Sequence, residues 1–140
     1  MNDHSFKMRL NCAYVDPDNS IDQLEVETLI DDEWQRLDLN TRAPGFQLFI
    51  YALFSCQHLY FRLNAAEHGL MLTSSEGSIT VTADANWHIK LLHVEFNGWL
   101  KNGTPTQRDI DYIIERMGQC PVSCNIKNIP DSKKIITFTQ

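Results

Sequence analysis

One stretch limits what this chain can become. Between Phe46 and Ala66 the only Lys, Arg, Asp or Glu is Arg62. Across that stretch Phe49, Ala52, Leu53, Cys56, Leu59, Tyr60 and Leu63 recur at offsets of three and four, which is one stripe of an α-helix. Pro44-Gly45 marks a start and Gly69 is placed to end the helix as a left-handed cap. The spacing predicts a helix from Phe46 to about His68. A helix so poor in charge should be covered on more than one side.

The flanks alternate with a period of two. Lys7 to Val15 puts Met8, Leu10, Cys12 and Tyr14 on one face of a strand. Asp16-Pro17-Asp18-Asn19-Ser20 is a turn cluster, because proline fixes φ and Asp and Asn bond their own backbone. Leu24 to Ile30 reads as a second strand, Asp31-Asp32 as a turn, and Trp34 to Leu39 as a third strand. After Gly69, Leu70 to Ser74 and Ser78 to Ala83 read as a hairpin across Glu76-Gly77, followed by a strand from His88 to Phe96. Thr104, Pro105 and Gln107 read as the N-cap, first position and capping box of a helix whose apolar face is Ile110, Ile113, Ile114 and Met117. Gly118 stops it, Pro121 opens a short helix over Cys120 to Lys127, and Ile135 to Thr139 is a last strand. Strand runs broken by helices predict a single α+β domain over residues 1–140.

Composition narrows the class. With 43% hydrophobic residues in 140, the chain can bury a core without disulfides or metal. A net charge of −6, from 12 basic and 18 acidic residues, argues against a nucleic-acid backbone or an anionic membrane as the main partner. The most apolar run, Phe46 to Phe54, falls well short of the roughly 20 residues a membrane span needs. The opening MNDHSFKMRL has no apolar signal core, so the expected compartment is the cytoplasm, where four cysteines are free, catalytic or metal-binding rather than a disulfide framework.

Two cysteines have distinctive contexts. Cys120 precedes Pro121 at an expected helix start, where unpaired N–H groups would lower a thiol's pKa. Cys56 sits at the centre of the long helix and, read alone, is a small buried hydrophobe. Cys12 reads as strand core, and His58, about 200° around the helix from Cys56, as a partly exposed histidine. Cys120 and Cys124 are four apart, which is not a usual zinc or thioredoxin spacing, and no second ligand pair follows. Trp34, Trp87 and Trp99 read as packing residues at strand ends.

The segment Gln47 to Cys56, followed by Gln119-Cys120-Pro121-Val122-Ser123 with a separation of 64 between the two cysteines, resembles the OsmC/Ohr family of thiol-dependent hydroperoxide reductases. The resemblance runs from about Arg42 to the end of the chain. It implies antiparallel sheets packed around a long central helix in an intertwined homodimer. Cys56 would attack the distal oxygen of an organic hydroperoxide and become a sulfenic acid. Cys120 would condense with it to a disulfide, and an external dithiol would reduce that bridge. Phe46, Gln47, Phe49 and Leu53, with Tyr51 or Phe54, would line an apolar substrate pocket suited to alkyl or lipid peroxides. No cofactor or metal is implied. The family places a Glu nine or ten residues before its first cysteine, where this chain has Gln47 and Phe46. It takes an activating Arg from the turn after the first strand, but Asp16 to Ser20 holds none; Arg9 and Arg42 are the nearest substitutes. A dimeric module that binds a small apolar ligand without catalysis, or a redox sensor, is the other class of function the residues allow.

Overall fold

A computed structural model describes residues 2–140. The elements are β1 His4–Val15, β2 Ser20–Ile30, β3 Glu33–Arg36, α1 Gly45–Glu67, β4 Met71–Ala83, β5 Ile89–Asn102, α2 Gln107–Met117, a 3-10 turn at Ser123–Asn125, and β6 Asp131–Thr139. Together the strands make one sheet in the order β3-β2-β1-β4-β5-β6. The expected α+β class holds, with a difference in the sheet: β6 joins β5 in parallel, while every other pair is antiparallel. Among the described residues no helix is long and apolar enough to cross a membrane.

Turn chemistry explains the first hairpins. Asp18 and Asn19, then Asp31 and Asp32, take positive φ between 51° and 64°, a region that short Asx side chains tolerate. Asn19 is also a buried clamp. Its Nδ2 donates to the carbonyls of Arg62 and Leu70, both at 3.0 Å, and its Oδ1 accepts from the Leu72 N–H at 2.8 Å. The β1–β2 turn is thereby tied to the end of α1 and the start of β4.

The hairpin expected across Glu76-Gly77 does not form, because β4 runs straight through it. Gly77 lies opposite Leu10 on β1 and Phe96 on β5. A Cβ at that position would sit 2.5 Å from two atoms of the Phe96 ring. The glycine marks a close approach inside a central strand, not a turn. Phe96 fills the space and stacks on Phe61 with centroids 4.9 Å apart, and also on Phe54 and His58.

Both helices cover the same face of the sheet. Met8, Leu10, Ile79, Val81, Val94, Phe96 and Ile136 from the strands meet Ile50, Leu53, Phe54 and Phe61 from α1 and Ile113 and Met117 from α2. The opposite sheet face carries Lys7, Arg9, Asn11, Ser78, Glu95 and Asn97. The face α1 buries is rotated from the expected stripe. It consists of Ile50, Leu53, Phe54, Gln57, His58, Phe61, Asn64 and Ala65, and shares only Leu53 with the stripe read from apolar spacing. The polar members go inside because each finds partners there, while Leu48, Leu59 and Leu63 stay 38%, 37% and 40% exposed.

Two local expectations also shift. α2 is capped by Thr106, whose side chain accepts from the Asp109 N–H while Asp109 receives the Thr106 N–H; Thr104 and Gln107 play no part in the box. The helix expected over Cys120 to Lys127 shrinks to the single 3-10 turn Ser123–Asn125.

Candidate active site

Gln57 organises the region where α1 meets the end of α2. Its two Nε2 protons are shared among the Met117 carbonyl at 2.7 Å, Ser123 Oγ at 2.6 Å and Cys120 Sγ at 3.4 Å. The orientation of the amide is fixed, since the Met117 carbonyl can only accept. Gln57 Oε1 is left buried with no partner. One residue earlier on α1, Cys56 is half-buried, and its thiol lies beside that of Cys120. Cys120 itself is fully buried.

The two thiols differ electrostatically. Burial, then the neighbouring Cys120, pushes the Cys56 thiol up to about 11, against a lowering contribution from the Val122 N–H. Burial also acts to raise Cys120, but it is outweighed by hydrogen bonds from Cys56, from the Ser123 hydroxyl and N–H, and from Gln57, so this thiol lies below its ordinary value. The Ser123 N–H reaches Cys120 Sγ at 3.3 Å. The expected origin of this acidity was the N-terminus of a helix; with only a 3-10 turn there, individual donors do the work. Of the two thiols, Cys120 is the one that gives up its proton more readily.

Neither suggested arginine serves Cys56. Arg9 pairs with Glu27 at 2.8 Å and lies 4.1 Å over the Trp34 ring, on the sheet face away from α1. Arg42 is exposed in the loop before α1.

Of the expected pocket residues, Leu53 lines a narrow cleft with Gln57, Leu92, Val94, Ser123, Ser132, Lys133 and Lys134. Phe46 instead packs with Phe6, Phe49 and Trp87 at centroid distances of 5.0, 5.9 and 5.3 Å. Gln47 is half-buried on the first turn of α1.

No family model and no curated protein matches this sequence. Solved structures do match its backbone. An OsmC-like hydroperoxide resistance protein from Jannaschia sp. CCS1 superposes with a TM-score of 0.57 at 18% identity, over 89% of this chain and 89% of that one. An OsmC-like protein from Mycoplasma pneumoniae gives 0.52 at 14% identity, over 92% of this chain and 94% of that one. This chain has the OsmC-like fold.

Within the OsmC-like fold this chain holds groups that sequence reasoning missed. His58, expected to be partly exposed, is buried; its Nε2 meets the Tyr14 hydroxyl at 2.7 Å, and that hydroxyl meets Ser75 Oγ at 2.5 Å. Burial, then the Arg62 charge, lowers His58 to about 4, so it is neutral at physiological pH. Burial pushes Tyr14 upward. Cys12 is core, as expected, with its thiol raised first by burial. Gln57 was the other omission. The offset of one between Cys56 and the stripe 50, 53, 54, 57 was a usable signal, because a glutamine at a core register must be bonded to something specific.

Proposed function

We propose that this chain reduces organic hydroperoxides at Cys56, with Cys120 as the resolving thiol. The observation that carries the reading is the pairing itself: two thiols 64 positions apart in sequence lie beside each other, one half-buried and the other fully buried. The accessible sulfur is the one a substrate can reach. Cys56 attacks the distal peroxide oxygen, the O–O bond breaks, and an alkoxide leaves and is protonated to an alcohol. Cys120 then attacks the sulfenic sulfur and expels hydroxide, giving the Cys56–Cys120 disulfide and water. An external dithiol restores both thiols.

Phe49 lies two turns before Cys56 on the same side of α1 and leads to the Phe6, Phe46 and Trp87 cluster. That apolar track, with Leu53 beside it, suits an alkyl or acyl chain; Gln47, about 180° around α1 from Cys56, lies outside it. Leu48, Leu59 and Leu63 form an apolar strip on the outside of the same helix, and a second copy of the chain covers it in a homodimer. The hydroperoxide-resistance name of the Jannaschia structure is consistent with this redox role. The setting is a reducing cytoplasm, with no nucleic acid, membrane or cofactor involved.

The lack of a cation at Cys56 favours a second reading, a dimeric module that holds an apolar ligand without turning it over. One assay separates them. With cumene hydroperoxide and a dithiol reductant, the wild type consumes peroxide, Cys56→Ser loses consumption, and Cys120→Ser stalls or overoxidises. Equal background rates in all three proteins refute the reductase and leave the binding module.

A further inference from the structure

The thiol pair has no arginine, yet its sulfurs are unequal. Cys120 Sγ receives the Ser123 N–H at 3.3 Å and Gln57 Nε2 at 3.4 Å in a fully buried position. An N–H aimed at sulfur stabilises the thiolate far more than the thiol. Packing alone does not select this glutamine: a methionine would fill the same space without leaving Oε1 buried and unpartnered. We propose that Gln57 and the Ser123 turn seat the resting negative charge of the pair on Cys120, making Cys120 the base that takes the Cys56 proton as well as the sulfur that closes the bridge. The base role rests on the hydroperoxide reading; the seat of the charge does not.

The proton balance of the peroxide step closes without an outside group. On this proposal the resting pair holds Cys56 as a thiol beside Cys120 as a thiolate. The proton crosses to Cys120, the Cys56 thiolate takes the distal oxygen, and the departing alkoxide recovers a proton from the Cys120 thiol. Cys120 is then a thiolate again at the moment it must attack the sulfenic acid, and hydroxide leaves. The mobile proton ends on the alcohol, and solvent protonates the hydroxide released when the bridge closes. Gln57 acts through Cys120 and is a positioning residue. The charged and titratable groups facing the pair are few. Lys133 and Lys134 on β6 line the cleft beside Gln57 and Ser123, and Cys124 lies in the turn. On α2, Arg116 is engaged with Asn64 and Gln119.

The test titrates the reduced wild-type protein carrying 13Cβ-labelled cysteine, with resonances assigned from single Cys→Ser variants. Cys120 should ionise first, below the ordinary thiol range, and Cys56 last, near 11. Gln57→Met should cut the Cys120 thiolate fraction about tenfold at fixed pH, one unit upward. Gln57→Glu, which keeps the size of the side chain, should move it up as well by placing a carboxylate beside the sulfur. A purely structural Gln57 would lower the melting temperature and leave the Cys120 titration in place. Ionisation of Cys56 before Cys120, or a Cys120 titration unmoved in both variants, overturns the proposal. Sulfenic acid formation at Cys56, trapped with dimedone, should fall about tenfold in Cys120→Ser and recover toward high pH. An unchanged rate in that variant, or a wild type that forms no sulfenic acid, refutes the base role, while the order of ionisation still decides where the charge sits.

Discussion

Replacing Gly77 with alanine tests the packing that holds the centre of the sheet. The added methyl would lie 2.5 Å from two ring atoms of Phe96, against an optimal carbon–carbon separation of about 3.5–4.0 Å. The ring has little room to retreat, because Phe61 stacks on it at 4.9 Å and 8°, and Phe54 and His58 pack at 5.8 and 5.7 Å. Overpacking of this kind costs about 1–3 kcal/mol. Gly77 is not in the left-handed region, so alanine fits the backbone and returns about 0.4–1 kcal/mol by restricting the unfolded chain. The net loss is about 1–2 kcal/mol, which for a chain of this length lowers Tm by about 3–6 °C. Differential scanning calorimetry reads it directly. Phe96→Leu in the alanine background should recover part of the loss, giving a coupling energy above about 0.5 kcal/mol in a double-mutant cycle. A Gly77→Ala protein that melts within 1 °C of wild type, as a residue in an open hairpin turn would, refutes the reasoning.

Two further outcomes follow from the same interior. His58 falls to about 4 in the folded protein and is ordinary when unfolded, near 6.5. The unfolded chain therefore binds the extra proton first. The contribution is complete above about pH 6.5 and is lost as pH falls toward 4, up to about 3 kcal/mol. Urea unfolding at pH 7.5 and pH 5 should show the decline, and His58→Gln should flatten it; parallel curves for the two proteins would refute the assignment. On the outer side of α1, Leu59→Glu paired with Leu63→Glu should turn a dimer into a monomer in light scattering at micromolar concentration, and an unchanged mass excludes that strip as the interface.

Much of the fold could be read locally. Twofold alternation marked β1 and β2, the Asp31-Asp32 pair marked a tight turn, and the charge-poor run with Gly69 behind it gave α1 nearly to the residue. What failed was orientation and context. Apolar spacing chose Ala52, Leu59 and Leu63 as the buried side of α1, but burial follows partners, and Gln57, His58 and Asn64 have theirs inside. Gly77 looked like a turn because its reason for being glycine is a ring from another strand. The capping box moved by two residues because Thr104 and Thr106 offer the same hydroxyl, and it is Asp109, three residues after Thr106, that returns the second bond of the box. The parallel pairing of β6 had no local signature. As for the site, spacing drew attention to the two cysteines, whereas the donors that make them unequal come from Gln57 and from the backbone of a turn that propensity took for a helix.

The parallel docking of β6 beside β5 forces the chain to travel back along the sheet, and it does so through α2 and residues 118–130. The early part of that return is fastened: Gly118, Gln119, Cys120, Cys124 and Asn125 all donate backbone hydrogen bonds to residues just behind them, and Gln57 grips the run from the side. Beyond Ile126 the path is irregular and reaches β6 through Asn128 at positive φ. The crossover is held by hydrogen bonds where it bears sulfur and by the packing of Ile129 on the core further along. A single insertion between Met117 and Cys120 would carry the thiol a full step away from its mate.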